Sequence, residues 1–315
     1  MPSPVGDPAP RGARGRSSEL SRAALWLGGA ALVPLLAACS GAPGSGREPP
    51  APAPTPQFIV PAPAGLMSGT APSLDGVVWV LAGTGAIRTL RQVDLVSRAD
   101  LAVVPAPASA TAVAQTGTGI LGVSLATAST GALQLRAASS AALLATVALA
   151  APAEAVAAQG NSPYLYVVTR TATSATMVVV DGVTRRVVGS APLPLGTVAA
   201  VPAPGQGSVW ALQSNGLVDE VALTNGQLST QFRVGSSGLA LAISPDGSTL
   251  YVLKGRNGVR NVAAVDLATE TVTKVLPAPA GAVGLALSPD GGTLYDFVGT
   301  SAVGNVQAFR LRGLG

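Results

Sequence analysis

The stretch Gly238-Leu-Ala-Leu-Ala-Ile-Ser-Pro-Asp-Gly-Ser-Thr-Leu-Tyr-Val-Leu253 returns further along the chain as Ala282-Val-Gly-Leu-Ala-Leu-Ser-Pro-Asp-Gly-Gly-Thr-Leu-Tyr295. In both copies two short apolar runs flank the sequence Ser-Pro-Asp-Gly. Proline fixes φ, aspartate hydrogen-bonds its own backbone and glycine accepts a positive φ, so this sequence favours a tight turn. Each copy therefore predicts two short strands joined by a turn.

Weaker copies of the unit extend towards the N-terminus. Each has a turn followed by a short strand, and the strand centres are Trp79, Gly122, Tyr166, Trp210, Tyr251 and Tyr295. In the clearest unit four apolar runs are separated by turn residues, at 239–243, 249–253, 263–267 and 271–276. Four short strands in a unit of about 44 residues predict the blades of a β-propeller. The fold class is thus all-β, with four-stranded blades.

The units resemble YVTN-type β-propeller repeats, in which a Ser-Pro-Asp-Gly turn precedes a Leu-Tyr-Val strand. The resemblance covers about residues 57–315, which we assign to the propeller domain; it is strongest in the last two units and weakest in the second. Six strand centres predict six blades. Seven is the commoner number in the resembling family, and a further blade hidden in 105–160 is the alternative.

The last unit lacks a fourth strand, and an extra strand stands before the first unit. This strand, Gln57-Phe-Ile-Val60, is followed by Pro-Ala-Pro-Ala-Gly, as is the fourth strand of the preceding unit at Lys274-Val-Leu276. We therefore expect the N-terminal strand to complete the last blade near Val306–Leu311. Closing the ring in this way removes the exposed sheet edges.

The N-terminus has the layout of a secretory signal. Residues 1–22 are polar and Arg-bearing, and residues 23–38 are almost wholly apolar but too short to span a bilayer. The end of this run, Leu36-Ala37-Ala38-Cys39, resembles the bacterial lipobox. That resemblance implies cleavage between Ala38 and Cys39 and a lipid on Cys39. The alternatives are an ordinary signal peptide with a chance cysteine, or an uncleaved anchor.

Three segments follow from these assignments: a lipoprotein signal peptide at 1–38, a lipidated cysteine with a Pro-rich tether at 39–56, and the propeller domain. The tether sequence favours an extended chain, and about 16 residues in polyproline II form reach roughly 50 Å. The expected location is extracytoplasmic, with the protein lipid-anchored to the bacterial membrane in the cell envelope.

The composition excludes several kinds of chemistry. The 315 residues include no histidine, which rules out Ser-His-Asp and Cys-His catalysis and His-ligated metal sites. The single cysteine cannot form an internal disulfide, and no phosphate-binding loop sequence occurs. After Cys39 the charges nearly balance, which argues against nucleic-acid binding. We predict no catalytic residues, no metal site, no cofactor and a monomer.

Several residues recur along the chain and are candidates for a functional role. A structural role is favoured, because they occupy equivalent positions of the repeat unit. Asp246 and Asp290 belong to the Ser-Pro-Asp-Gly turns and could be imagined as metal ligands. Three aspartates at the exit of the third strand are expected to cap hairpins: Asp94, Asp181 and Asp266. Four aromatic residues are expected to pack between blades rather than stack on a ligand: Trp79, Trp210, Tyr251 and Tyr295.

Basic residues gather in the loops between the second and third strands of the blades. The stretch Lys254-Gly-Arg-Asn-Gly-Val-Arg-Asn261 is the most polar one, and Arg88 and Arg170 fall in equivalent loops. The predicted binding residues are therefore Arg88, Arg170, Lys254, Arg256 and Arg260. The opposite face collects most of the carboxylates. Unselected surface charge is the alternative explanation.

Two classes of function remain. The first is an envelope-anchored binding or scaffold module for a protein or an anionic cell-wall polymer. The alternative is a propeller enzyme of the lactonase, lyase or quinoprotein type, which would need polar residues converging on the central channel. The innermost strands carry almost no ionisable groups, and Glu154 is the one acid among them. The binding module is the favoured prediction.

Replacing Cys39 with serine tests the lipoprotein assignment. We expect the Cys39→Ser protein either to leave the membrane fraction or to accumulate as an uncleaved precursor, because the thiol that takes the lipid is gone. Fractionation and N-terminal sequencing measure both outcomes. A correctly processed Cys39→Ser protein that stays in the membrane would disprove the assignment.

Overall fold

The computed structural model describes residues 55–205, 207–256 and 258–311. The signal peptide, Cys39 and the tether up to residue 54 lie outside the described residues, so those assignments stay predictions. The described part of the chain forms 24 strands in six antiparallel sheets of four. Within it, no helix is long and apolar enough to cross a membrane.

Each sheet is one blade, and its strands are called A, B, C and D from the channel outwards. Blades 1–3 consist of β2 (Leu66–Gly69), β3 (Val77–Thr84), β4 (Ile87–Asp94), β5 (Ala99–Ala106); β6 (Ala110–Gln115), β7 (Ile120–Ala126), β8 (Gly131–Ala137), β9 (Leu143–Leu149); and β10 (Ala153–Ala158), β11 (Tyr164–Arg170), β12 (Ala175–Asp181), β13 (Arg186–Leu193). Blades 4–6 consist of β14 (Thr197–Pro202), β15 (Ser208–Gln213), β16 (Leu217–Ala222), β17 (Leu228–Arg233); β18 (Gly238–Ile243), β19 (Thr249–Arg256), β20 (Val259–Asp266), β21 (Thr271–Ala278); and β22 (Ala282–Leu287), β23 (Thr293–Gly299), β24 (Gly304–Arg310), β1 (Phe58–Ala62).

The predicted six-bladed propeller is confirmed. Each A strand contacts the A strands of the blades on either side, and β22 contacts β2, so the six blades form a closed ring. The pairing of A with B shifts register at the same place in every blade, next to the start of the A strand. A bulge at this position bends the inner strand in the same way six times.

The aromatic residues of the B strands pack between blades, as predicted. The Trp79 side chain is fully buried against Leu121 of blade 2, and its indole N–H donates to the Ala138 carbonyl at 2.9 Å. Tyr295 likewise packs on blade 1. Blade 2 has Gly122 at this position, where an added Cβ would lie 2.9 Å from Leu165 of blade 3. The next blade's leucine thus fills the space that an aromatic ring fills elsewhere.

The N-terminal strand closes the ring. β1 pairs with β24 in antiparallel register from Phe58 opposite Ala308 to Ala62 opposite Gly304. Val60 is fully buried in the core between blades 6 and 1, whereas the neighbouring Ile59 is 46% exposed. The predicted pairing is confirmed, and it makes β1 the D strand of blade 6.

The stretch 254–261 is more regular than the sequence analysis predicted. It was expected to be a loop, but β19 continues to Arg256 and β20 already begins at Val259. The turn contains Gly258 at φ +81°, a conformation that glycine adopts readily. In the sequence, Asn257-Gly258 is a typical signal of a two-residue hairpin. Because β20 already begins at Val259, Arg260 lies within this strand and not in a loop.

The outer edge of the propeller carries prolines. Four of the six D strands contain one: Pro61, Pro105, Pro192 and Pro277. Proline has no N–H to donate and is confined in sheets to edge strands or bulges. These residues hinder the pairing of a foreign strand with the rim, which several exposed aliphatic residues would otherwise favour.

Two carboxylates are buried inside the blades, and the sequence analysis did not single them out. Asp219 accepts hydrogen bonds from the side-chain amides of Gln213 and Gln231. Asp296, at the centre of β23, is 1% exposed, and within the described residues no donor reaches its Oδ1. It shares a sheet face with Leu294, which packs on blade 5. Burial raises the pKa of Asp296 to about 7.

A charged residue at Val60 tests the closure of the ring. We expect Val60→Asp to lower the free energy of unfolding by about 3 kcal/mol or more, because it places a carboxylate in a closed apolar core. Ile59→Asp, on the solvent side of the same strand, is the matched control and should cost less than about 1 kcal/mol. Chemical denaturation measures both, and equal losses would contradict the pairing.

Replacing Asp296 with asparagine tests the buried acid. An aspartate in the unfolded chain ionises near pH 4, whereas Asp296 in the folded protein ionises only near pH 7. The contribution of Asp296 to the free energy of unfolding therefore falls as the pH rises from about 4 to 7, by on the order of 4 kcal/mol. Asp296→Asn removes this loss, so its melting temperature should exceed that of the parent increasingly over the same pH range.

A neutral neighbour provides the control for that experiment. Asn305 lies near the start of β24, opposite Val298 of the strand that carries Asp296. Asn305→Ala should change the melting temperature by the same amount at pH 4 and at pH 8. If the difference between Asp296→Asn and the parent does not grow with pH, the assigned ionisation of Asp296 is wrong.

Candidate binding surfaces

The two ends of the propeller are built from different connections. The B–C hairpins and the links between successive blades lie at one end, which we call the BC face. The A–B and C–D turns lie at the other end, the AB face. In blade 5, for example, Asp246 precedes β19 and Lys254 lies near its far end, so the two side chains belong to opposite faces.

All five predicted binding residues lie at the BC face, but most of them make contacts within the chain. The Arg88 guanidinium donates to the Ala110 carbonyl of blade 2. The Lys254 ammonium donates to the Val234 carbonyl at 2.8 Å, and Arg170 pairs with Glu154 at 2.7 Å. Arg260 is half-buried, and Arg256 is exposed. The structure therefore brings the five charges to one face and leaves Arg256 the most accessible of them.

Exposed aliphatic side chains accompany these charges, which the sequence analysis missed. The B–C hairpin tips of blades 5, 6 and 1 carry Val259, Val303 and Ile87, which are 62%, 54% and 77% exposed. Blades 6 and 1 are neighbours because β1 closes the ring, so the three tips follow one another around it. The signal was present in the sequence, since each of these aliphatic residues stands next to a tight turn.

We call this surface the BC arc. Its residues are Lys254, Arg256, Val259, Arg260, Val303, Ile87 and Arg88. Among the described residues of the hairpins and links of blades 5, 6 and 1 there is no carboxylate on this face. Arginine is enriched in protein interfaces, and the centre of an interface is more apolar than the rest of the surface. The BC arc is thus equipped to contact an anionic surface that also offers apolar groups.

The AB face of the same three blades has the opposite charge. We call it the acidic sector, and its residues are Leu74, Asp75, Asp94, Val96, Asp246, Asp266, Glu270 and Asp290. Leu74 is 91% exposed and Val96 is 80% exposed, more than any other large aliphatic residue in the described part of the chain. Among the described residues of the same end, the basic ones, Arg98 and Arg310, are fewer than the carboxylates.

Most of the acidic-sector aspartates also hold turns, as the sequence analysis predicted. The Asp94 carboxylate accepts the Val96 N–H at 2.7 Å and the Ser97 N–H at 3.2 Å. Asp246 accepts the Ser248 N–H at 3.0 Å and the Ser244 hydroxyl at 2.6 Å, and Asp290 repeats this arrangement with Gly292 and Ser288.

These hydrogen bonds keep the carboxylates charged. The Ser97 hydroxyl lowers the pKa of Asp94, the Ser244 hydroxyl lowers that of Asp246, and the Thr269 N–H lowers that of Asp266. The side chains therefore serve the turns and still present negative charge to solvent at neutral pH.

The central channel opens at the AB face into a cavity of about 800 Å³. Its wall consists of small apolar residues of the A strands, such as Ala157 and Ala242, and its mouth is lined by turn prolines such as Pro245 and Pro289. Gln159 contributes a buried amide oxygen without a partner within the described residues. Apart from Asp75 at the rim, no residue that lines the cavity carries a charge.

A second cavity, of about 820 Å³, lies at the BC face beside blades 2 and 3. The Glu154–Arg170 ion pair lines it, together with residues of the hairpins at Thr127 and Thr171 and the exposed Leu195. Glu154, the one acid of the inner strands, is therefore paired with a predicted binding residue. An ion pair with both side chains about one-third exposed contributes little to stability and leaves a nearly neutral surface.

No constellation for catalysis is assembled in the described part of the chain. The described residues contain no group of three or more Asp, Glu or Cys side chains placed to hold a metal ion. The serines and threonines of the channel mouth bond to turns, as Ser244 and Ser288 do. The features that stand out are the two oppositely charged surfaces on a rigid ring.

Comparisons with known proteins support the fold. No protein-family model and no curated protein matches the sequence. Among solved structures, a chain of the hydrazine synthase of Kuenenia stuttgartiensis matches with a TM-score of 0.59 and 12% identity, over 78% of this chain and 84% of that one. The β-propeller domain of Cps50 (Swd1) from Myceliophteria thermophila matches with a TM-score of 0.58 and 9% identity, over 81% and 99% of the two chains.

Sequence identities this low support a shared fold but give no information about activity or partners. The second neighbour is a β-propeller domain by its own description, and nearly its whole length superimposes on this chain. Together with the six closed blades, this likeness shows that the chain contains a β-propeller domain.

Proposed function

We propose that the protein is an envelope-anchored lipoprotein whose YVTN-type propeller is a binding module for an anionic protein or cell-wall partner. The observation that supports this function is the BC arc. It combines exposed Arg256 with three exposed aliphatic hairpin tips, on a face that carries no carboxylate in the same blades. Contiguous exposed apolar surface is characteristic of interaction sites.

The orientation of the chain supports an outward-facing BC arc. β1 is a D strand, and D strands run from the C–D turns towards the links between blades. The chain therefore enters the propeller at the AB face. In the proposed lipoprotein the tether joins this end, so the acidic end faces the membrane, and the Pro-rich tether and repulsion from anionic headgroups keep it off the membrane surface. The BC arc is then directed away from the membrane.

The binding should be weak and sensitive to salt. The charges of the BC arc are few, and exposed charges about 8 Å apart at physiological salt are largely screened. The aliphatic tips add contact area that salt does not screen. We therefore expect a partner that satisfies both kinds of contact to bind more tightly than a simple polyanion.

Neutralising the charges of blade 5 tests this function. We expect the variant with Lys254, Arg256 and Arg260 all changed to glutamine to bind isolated anionic cell-wall polymer about tenfold more weakly at low salt, because three cations of the BC arc are gone. Co-sedimentation of the protein with the polymer measures the affinity.

Three arginines of the other face provide the matched control. Changing Arg98, Arg185 and Arg186 to glutamine removes the same charge from the AB face and should leave the affinity within about twofold of the parent. Equal losses in the two variants would show a nonspecific charge effect. Unchanged binding in the blade 5 variant would reject the BC arc as the site for this polymer.

A further inference from the structure

The BC arc and the acidic sector lie on the same three blades, at opposite ends of the propeller axis. The BC arc offers Arg256, Arg260 and Arg88 with aliphatic hairpin tips. The acidic sector offers carboxylates with the exposed Leu74 and Val96. Each surface thus has the charge and the apolar groups that the other one would accept.

We propose that a second copy of this chain docks its acidic sector on the BC arc, so that propellers associate head to tail. This inference rests on the BC arc of the proposed function and names one partner for it. It predicts an oligomer, whereas the sequence analysis predicted a monomer.

The geometry needs no large rotation between the copies. Because both surfaces belong to blades 5, 6 and 1, a shift along the propeller axis alone brings the acidic sector of one copy over the BC arc of the next. An interface between two different surfaces of identical chains is heterologous, and it leaves a free BC arc and a free acidic sector at the ends of the assembly. In detergent, dimers can therefore grow into longer stacks, whereas on a membrane the reach of the tether, roughly 50 Å, limits their length.

The other half of the ring lacks this complementarity. At the BC face of blades 2 and 3 the Arg170 charge is compensated by Glu154. At the AB face of blade 3, Asp181 is accompanied by Arg185 and Arg186. Opposite charges are therefore mixed on both surfaces of blade 3, and blade 4 contributes the exposed Arg233 to the BC face. We expect contact to be confined to blades 5, 6 and 1, which makes the proposal testable by position.

Cysteine crosslinking of the protein purified from cells in a nonionic detergent tests the arrangement. Leu74→Cys and Ile87→Cys place thiols at the two ends of β3 in blade 1, about 26 Å apart within one chain. A bismaleimide shorter than this distance cannot join them within one copy. Head-to-tail contact predicts a ladder of dimers, trimers and longer products at low salt that disappears at high salt.

Two controls separate this ladder from random collision. Ile87→Cys alone, in a chain whose Cys39 is lipidated or replaced by serine, can form nothing longer than a dimer. The pair Val183→Cys and Leu195→Cys carries sites that are 63% and 57% exposed, on the AB and BC faces of the other half of the ring. It should give at least about fivefold less of the longer products, since these positions lie outside the proposed contact. Equal ladders from the two pairs would overturn the proposal.

A charge exchange provides the decisive variant. Arg256→Glu with Arg260→Glu, in the Leu74→Cys and Ile87→Cys background, should reduce the ladder about tenfold. Adding Asp75→Lys and Glu270→Lys to the same chain exchanges two of the six carboxylates of the acidic sector as well, and should restore part of the ladder. Failure of this second exchange to restore crosslinking, in a protein with the parent's melting temperature, would overturn the proposal.

The proposed function can be judged separately. Asp75→Lys with Glu270→Lys, in an otherwise unchanged chain, should reduce the ladder about tenfold and leave the binding of cell-wall polymer undiminished, because the BC arc is intact. Polymer binding without a ladder in the parent protein would reject self-association and keep the proposed function. A ladder without polymer binding would reject the polymer as the partner and keep self-association.

Discussion

Main-chain hydrogen bonding between the first and last strands is the interaction on which the rest of the molecule depends. Each blade buries its sheet faces against two neighbours, so an open row of blades would leave one face of the first and one of the last in water. The pairing of β1 with β24 removes this problem by making blade 6 from both ends of the chain. It also makes blades 6 and 1 neighbours, and therefore decides which surface residues lie side by side.

The repeat made most of the fold predictable from the sequence. The Ser-Pro-Asp-Gly turns and the aromatic strand centres located the B strands. The sequence Pro-Ala-Pro-Ala-Gly, which follows both β1 and the fourth strand of blade 5, identified β1 as a D strand. The course of 254–261 was not predicted, because the polar residues there indicated a loop while Asn257-Gly258 allows a two-residue turn between long strands. The buried Asp296 also escaped notice, since a single acid within an apolar run carries no sign of its burial.

The candidate surfaces were only partly predictable, for a reason that lies in the topology. The positions of the B–C hairpins in the repeat were enough to bring Arg88, Arg170 and Lys254 to one face. Their contacts were not predictable, because Arg88 and Lys254 donate to carbonyls of another blade or link, Ala110 and Val234. Arg170 instead pairs with Glu154 of its own blade. The grouping of Ile87 with Val259 and Val303 depends on ring closure, which joins segments more than 170 residues apart in sequence.

The closing strand also determines how the propeller responds to a pulling force. Any tension on the chain before Gln57 reaches the domain through β1, and it acts along the strand axis towards the AB face. The five residue pairs between β1 and β24 then resist sliding together instead of separating one after another. A strand loaded in this shear direction holds more firmly than one peeled from its end. The strand that completes the ring is therefore also its mechanical point of attachment.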